Sequence, residues 1–97
     1  MRPSASIAEN RDRVREILER FRMGNPRIFG SAARGEDTDG SDLDILVEAP
    51  PETTLYDLAQ VELELESVLG CKVEVVTKGF LAPDVAENVK PDLTPLP

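Results

Sequence analysis

The chain has 97 residues, of which 40% are hydrophobic, and its formal charge is −8; this size predicts a single compact domain. The acidic balance argues against general nucleic-acid binding, and neither a transmembrane run nor a signal-peptide core is found, so no membrane association is expected. Histidine is absent and Cys71 is the single cysteine, which excludes histidine-based nucleophilic schemes and an internal disulfide and favours a reducing, cytoplasmic location.

The first predicted element is a helix that begins at a Ser6-Ile-Ala-Glu9 capping box. Its apolar residues recur at helical spacing, which predicts one buried stripe made of Ile7, Val14, Ile17, Leu18 and Phe21. Every arginine of the chain lies within residues 2–34, so the outer face of this helix is basic. That face is either an ordinary solvated surface or a contact for an acidic partner or a polyphosphate. Gly24-Asn25-Pro26 is expected to end the helix.

Two strands are predicted next. Arg27–Phe29 forms a short strand that runs into Gly30-Ser31, followed by a helical turn at Ala32–Gly35 and a polar loop over Glu36–Gly40. The following residues alternate in polarity, which is typical of a strand with one apolar face: Leu43, Ile45 and Val47 lie on that face, and Asp42, Asp44 and Leu46 lie on the other. Pro50-Pro51 ends this strand.

A second long helix is predicted from a cap at Thr54 and Asp57 to Leu69, with Gly70 just past its end. Its expected core stripe contains Leu55, Leu58, Val61, Leu65 and Val68. A second, weaker apolar stripe lies on another face and contains Tyr56, Ala59 and Leu63. Because a small domain has little room to bury both, this second stripe is either an interface or a set of scattered surface residues.

A third strand, Lys72–Thr77, is predicted after this helix, with Val73 and Val75 on one side and Glu74 and Val76 on the other. A short helix over Asp84–Val89 and an extended, mobile Pro-rich tail over residues 91–97 are expected to follow. The element order predicts an α/β fold, a small mixed sheet with helices packed on one face, within a single domain over residues 1–90.

The acidic residues after Gly35 admit three interpretations. A calcium loop would use Asp37, Asp39, Ser41 and Glu48, but the glycine stands at the wrong position and a strand follows where a helix is needed. A solvated loop explains Glu36, Asp37 and Asp39. It explains Asp42 and Asp44 less well, because both carboxylates project from one face of a strand and repel each other. That pair favours a bound divalent cation such as Mg²⁺.

Glu74 and Gly30-Ser31 extend this hypothesis. If the third strand pairs beside Asp42 and Asp44 with its valines in the core, Glu74 emerges on the carboxylate face; otherwise it is an ordinary edge residue. Three carboxylates can hold two metal ions of the kind that assist phosphoryl transfer. Gly30-Ser31 joins a strand to a possible helix start, where backbone N–H groups favour phosphate oxygens.

Gly30-Ser31, ten intervening residues and then Asp42-Leu43-Asp44 together resemble the signature of the nucleotidyltransferase superfamily related to DNA polymerase beta. The longer stretch GSAARGEDTDGSDLDILV is similar to the minimal nucleotidyltransferase (MNT) branch, with its Gly-Ser-x-Ala-Arg-Gly and Ser-Asp-x-Asp motifs. The resemblance implies a palm-like sheet, with Mg²⁺ at Asp42 and Asp44 and a nucleoside triphosphate at Gly30 and Ser31.

The resemblance also suggests roles for three further residues. Glu74 stands where many minimal members carry aspartate, so it binds metal, acts as a general base, or does neither. Arg34 matches the arginine of the family and would steady phosphates, or it pairs with Glu36 or Asp37. Ser41 matches the serine of the second motif and is expected at the nucleotide.

Members of the MNT branch are often partnered with a helical HEPN protein, together resembling a toxin–antitoxin pair, and some transfer AMP to a tyrosine of the toxin. The resemblance therefore implies an ATP- and Mg²⁺-dependent protein adenylyltransferase that acts as an antitoxin on a HEPN-type toxin in a hetero-oligomer. One alternative is a non-catalytic antitoxin that neutralises its partner by binding. Another is nucleotidyl transfer to a small molecule.

Overall fold

The computed structural model describes residues 2–77 and 94–95, which form three helices and a four-stranded sheet. The helices are α1 (Pro3–Glu9), α2 (Arg11–Arg20) and α3 (Leu55–Leu69), and the strands are β1 (Gly24–Phe29), β2 (Leu43–Glu48), β3 (Val73–Thr77) and β4 (Thr94–Pro95). The strand order is β3-β2-β1-β4. β2 and β3 run parallel, whereas β1 is antiparallel to both of its neighbours. The predicted α/β fold with a small mixed sheet is confirmed.

The core lies between the helices and one face of the sheet. Ile28, Ile45 and Val75 occupy one register position across β1, β2 and β3 and belong to the core. The helices contribute Ile7, Val14, Ile17, Leu18, Leu58, Val61 and Leu65. Because successive strand residues point to opposite faces, the residues next to those central three lie on the second face of the sheet. The helices therefore pack on one face, as predicted, and the candidate site lies on the other.

The N-terminal segment differs from the prediction. It forms two helices that meet at Asn10, and α1 begins at Pro3 rather than at a Ser6 capping box. Proline is pre-organised for the first positions of a helix. Ser6 lies inside α1, where its hydroxyl donates to the carbonyl oxygen of Leu69, 2.8 Å away. The capping-box prediction is therefore wrong, but the predicted stripe is buried at Ile7, Val14, Ile17 and Leu18.

β1 is longer than the predicted strand. α2 ends at Arg20, and the chain turns through Arg22, whose φ is +59°. Gly24-Asn25-Pro26 therefore begins β1 instead of ending a helix. The pairing with β2 shifts register between Gly24 and Arg27, and an irregularity of this kind accommodates Pro26, which has no N–H to donate.

The ends of α3 are those predicted. The hydroxyl of Thr54 accepts a hydrogen bond from the N–H of Asp57 at 3.1 Å, and the carboxylate of Asp57 accepts one from the N–H of Thr54 at 3.0 Å. Gly70 ends the helix with a left-handed φ of +73°. Leu55 was predicted in the core but is 67% exposed. Residues seven apart on a helix point within about 20° of each other, so Leu55 shares the direction of Glu62, at the margin of the buried stripe.

The C-terminal predictions fall largely on residues that the structure does not describe. The helix predicted over Asp84–Val89 lies outside the described residues, as does most of the tail over residues 91–97. Two residues of that tail, Thr94 and Pro95, form β4 and pair with Ile28 and Arg27 of β1. Within the described ranges, no helix has the length and apolar character needed to cross a membrane.

Candidate functional site

The centre of the candidate site is a pair of carboxylates on neighbouring parallel strands. Asp44 of β2 pairs in register with Glu74 of β3, and Phe29 of β1 lies opposite Asp44 on its other side. Residues paired in this way point to the same face of a sheet. Asp44 is partly buried and Glu74 is exposed. The structure thus brings Asp44 and Glu74 together on the second face, the arrangement that the valine pattern of β3 predicts.

Asp44 is held in an unfavourable electrostatic environment. Burial, followed by the negative charges of Glu74 and Asp42 and a hydrogen bond with Glu74, raises the pKa of Asp44 from 3.8 to about 6. The carboxyl group is still mostly ionised at pH 7, so the fold holds repelling charges close together at that pH. A cation placed between them would relieve this repulsion.

Asp42 lies beside this pair but is not one of the paired strand residues. It precedes the first residue of β2, and its side chain is exposed. It contributes to a depression of about 320 Å³ that is lined by Asp42, Glu62, Glu66, Lys72, Val73 and Glu74. Among the described residues, no three Cys, Asp or Glu side chains are arranged to hold one metal ion together. The oxygen donors of Asp44 and Glu74 suit Mg²⁺, and Asp42 supplies a third carboxylate close by.

Gly30 allows the backbone to pass directly against Asp44. It follows Phe29, opens a 3₁₀ turn over Gly30–Ala32 and has a φ of +76°. A Cβ atom at this position would lie 2.7 Å from Oδ2 of Asp44, closer than real Cβ atoms approach other atoms. The position therefore requires glycine both for its conformation and for the space beside the carboxylate. The turn begins two residues before the one predicted at Ala32–Gly35.

Two other predicted site residues make contacts within the loop. The guanidinium Nε of Arg34 donates to the carboxylate of Glu36 at 3.3 Å, and both side chains are largely exposed; this is one of the two arrangements predicted for Arg34. The hydroxyl of Ser41 accepts a hydrogen bond from the N–H of Thr38 at 2.8 Å. Ser31 is partly buried in the 3₁₀ turn. Nucleotide binding by these three residues stays a prediction.

Asp37 has a role that the sequence did not indicate. It is 3% exposed, although the loop was expected to be solvated. Its carboxylate accepts hydrogen bonds from the N–H of Ser4 at 2.7 Å and from the hydroxyl of Ser4 at 2.9 Å. Burial raises the pKa of Asp37, but these hydrogen bonds and the charge of Arg2 outweigh it, so the pKa is lowered overall. No local pattern links residues 33 positions apart.

Two glutamates of α3 reach the outer edge of β3. The carboxylate of Glu62 accepts from the N–H of Val75 at 2.8 Å, and that of Glu66 accepts from the N–H of Val73 at 3.1 Å. β3 is the end strand of the described sheet, so these N–H groups face away from β2. The i, i+4 spacing of the two acids next to the core stripe could have indicated this contact.

The comparison with protein families identifies the fold and its chemistry. Residues 11–93 match the model of the nucleotidyltransferase domain. This chain belongs to the nucleotidyltransferase family. The predicted family and enzyme class are confirmed, and the carboxylate pair and the glycine turn lie within the matched residues.

Individual relatives agree with this assignment. The chain is 37% identical over 75 residues to the protein adenylyltransferase MntA of Thermococcus cleftensis, covering 77% of this chain and 76% of the relative. A solved structure described as a "putative minimal nucleotidyltransferase" superposes with a TM-score of 0.83 at 38% identity and covers 96% of this nucleotidyltransferase and 95% of the other chain. A toxin–antitoxin structure with AMP-PNP shares the fold, with a TM-score of 0.79 at 21% identity over 90% of this chain and 72% of the other.

Proposed function

We propose that this nucleotidyltransferase is a cytoplasmic protein adenylyltransferase that uses ATP with Mg²⁺ and acts as an antitoxin on a HEPN-type toxin. The observation that carries the proposal is the pairing of Asp44 with Glu74 in register, directly beside the backbone of Gly30. The similarity to MntA supports a protein as the acceptor of the AMP. The fold shared with a toxin–antitoxin structure supports a toxin as that partner.

Different residues of the site are proposed to bind the metal ion and the nucleotide. Asp44 and Glu74, with Asp42 beside them, would hold Mg²⁺, which supplies charge neutralisation at the phosphate oxygens when it is bound. Gly30 and Ser31 would bind the triphosphate through backbone N–H groups and a hydroxyl. Arg34 and Ser41 would reach the nucleotide by exchanging their present contacts within the loop.

The proposed reaction is a single displacement at the α-phosphorus of ATP. The acceptor hydroxyl oxygen forms a bond to that phosphorus, and the bond to the bridging oxygen breaks, so that pyrophosphate leaves. The exposed carboxylate of Glu74 is the group placed to accept the hydroxyl proton. The described residues form one layer of helices on one sheet, without a second lobe for an acceptor. The acceptor is therefore expected to be presented by another chain.

The experiment is an intact-mass measurement of a HEPN-type toxin from the same organism after incubation with the chain, ATP and Mg²⁺. We expect the mass of one or more AMP groups to be added, and no addition with Asp44→Asn or Glu74→Gln. Glu9→Gln, an exposed carboxylate of α1, is the matched control and should transfer normally. A stable complex that adds no nucleotide of any kind to the toxin would overturn the proposal.

A second candidate is an antitoxin that neutralises its partner by binding alone. The observation in its favour is that no three carboxylates of the described residues are arranged around one ion position. If this candidate is correct, Asp42→Asn combined with Asp44→Asn should still protect cells from the toxin. Loss of protection with the complex preserved would exclude it.

A further inference from the structure

The large exposed apolar side chains of the described residues all belong to α3. Leu55, Tyr56 and Leu63 are 67%, 71% and 60% exposed, and Ala59 between them is also exposed. These four residues follow i, i+3 and i+4 spacing, so they form one continuous row on the helix. We refer to Leu55, Tyr56, Ala59 and Leu63 as the α3 stripe.

The α3 stripe borders the side of the helix that lies next to the outer edge of β3. Leu55 shares its direction with Glu62, and Ala59 shares its direction with Glu66, because residues seven apart nearly coincide around a helix. Glu62 and Glu66 contact the outer edge of β3. On the α2 side of the helix, by contrast, Glu64 pairs with Arg20.

Glu62 and Glu66 also determine how a partner can approach. A free strand edge normally invites another strand to pair with it. Here the N–H groups of Val73 and Val75 already donate to the two carboxylates. A partner on this side is therefore expected to contact the apolar helix face rather than extend the sheet through β3.

The charges around the α3 stripe indicate the chemistry of that partner. α3 carries four acidic residues and no lysine or arginine, the acids being Asp57, Glu62, Glu64 and Glu66. Two of them, Glu62 and Glu66, line the same depression as Asp42 and Glu74. A mainly acidic surface, which also contains Lys72, therefore runs from the margin of the stripe to Asp42 and Glu74. A complementary partner presents an apolar row flanked by lysine or arginine.

We propose that the α3 stripe is the docking surface for the acceptor protein, which binds through a helix whose apolar row is flanked by basic residues. This inference rests on the proposed function, because it takes the toxin as the occupant. Docking on the stripe would bring the toxin to the edge of β3 and to the depression that Asp42 and Glu74 line. The stripe then holds the acceptor while the carboxylates carry out the transfer.

The test compares Leu63→Lys with Ser67→Lys in the full chain. Both positions are exposed and lie one turn apart on α3, and both variants add the same charge. Ser67 lies on the α2 side, with Arg13 and Arg20. Calorimetric titration with a HEPN-type toxin from the same organism should show binding weakened by about tenfold or more for Leu63→Lys. Ser67→Lys should bind within about twofold of the wild type.

Transfer kinetics separate this inference from the proposed function. Leu63→Lys should raise KM for the toxin and leave kcat unchanged, because the chemical groups are intact. Asp44→Asn should lower kcat and still bind. Equal binding by Leu63→Lys and Ser67→Lys would overturn the docking surface alone. Binding that depends on the stripe without any AMP transfer would overturn the proposed function alone.

Two further outcomes would also overturn the docking surface. One is the absence of binding between the wild-type chain and the toxin. The other is a wild-type chain that is dimeric by light scattering and becomes monomeric with Leu63→Lys, since the stripe would then bind a second copy of this chain.

Discussion

Gly30 and Asp44 constrain each other at the scale of single residues. The backbone of Gly30 passes so close to the carboxylate that a Cβ atom would fall 2.7 Å from Oδ2. The positive φ of Gly30 adds a conformational requirement of its own. Asp44 therefore keeps its position at the centre of the site because Gly30, the residue directly after β1, has no side chain.

Gly30→Ala should displace the carboxylate of Asp44 and strain the turn. We expect transfer to fall by about 100-fold, the usual effect of misplacing a reacting group by an ångström, and the free energy of unfolding to fall by about 1–2 kcal/mol. Gly40→Ala is the matched control, because nothing lies within 4 Å of the added atom. Full activity in Gly30→Ala would show that Asp44 does not need its present position.

Asp44 should also reduce stability at neutral pH. Its pKa in the folded chain is about 6, above the value of 3.8 expected when it is unfolded. The folded chain therefore binds more protons than the unfolded chain between these values, and its stability falls as the pH rises through that window. Asp44→Asn removes the charge. The free energy of unfolding of this variant, relative to that of the wild type, should be about 1 kcal/mol higher at pH 7 than at pH 4, after allowance for solvent screening.

Urea unfolding of both proteins at pH 4 and pH 7 measures this difference. Glu9→Gln, which removes one charge from an exposed position of α1, serves as the control. An Asp44→Asn variant whose gain is the same at both pH values would contradict the assigned pKa.

At the scale of elements, the loop that carries the site is held by the N-terminus of the chain. Asp37 accepts two hydrogen bonds from Ser4, which lies in the first turn of α1. The same helix is tied to the end of α3 by Ser6. Two distant parts of the chain thus position the residues that lead into Asp42.

Asp37→Ala should leave the N–H of Ser4 without its acceptor and destabilise the fold by about 1–3 kcal/mol. The loss should shrink as the pH falls through the lowered pKa of Asp37, because the bonds need the ionised carboxylate. Glu9→Ala removes the same charge from an exposed position of α1 and should change stability by less than about 0.5 kcal/mol. Equal stabilities of the two variants by thermal unfolding would contradict this role.

The sequence correctly predicts features that depend on residues close together in the chain. The alternation of polar and apolar residues around Asp44 predicts the face of β2 on which it lies, and the valines of β3 predict that Glu74 lies beside it. The Thr54–Asp57 cap was predicted because both partners lie within one turn. The prediction that Ser6 caps the first helix is wrong, because its hydroxyl donates to the carbonyl of Leu69, 63 residues away.

The burial of Asp37 and the exposure of Leu55 differ from the prediction for two separate reasons. The hydrogen-bond partner of Asp37 is Ser4, in an element that sequence spacing does not relate to the loop. Leu55 follows the helical period only approximately, and small angular offsets decide which residues at a stripe margin are buried. Long-range contacts therefore account for Ser6 and Asp37, whereas the geometry of α3 accounts for Leu55.

At the scale of the whole molecule, the strand order brings the site residues together, and the arginines and the acids of α3 lie in separate parts of the chain. The order β3-β2-β1-β4 puts β2 between β1 and β3, so Asp44 has Glu74 on one side and the Phe29–Gly30 turn on the other. Every arginine lies within residues 2–34, whereas α3 carries four acids. The exposed Arg20–Glu64 and Arg22–Glu52 pairs join these two regions, but such pairs contribute little to stability.

The most direct measurement is a calorimetric titration of the chain with a non-hydrolysable ATP analogue, with and without Mg²⁺. We expect binding that requires Mg²⁺ in the wild type and in Glu9→Gln, and that is weakened by about tenfold or more in Asp44→Asn and Glu74→Gln. Equal affinity in all four proteins, or binding that is indifferent to Mg²⁺, would contradict the assignment of this carboxylate pair as the metal and nucleotide site.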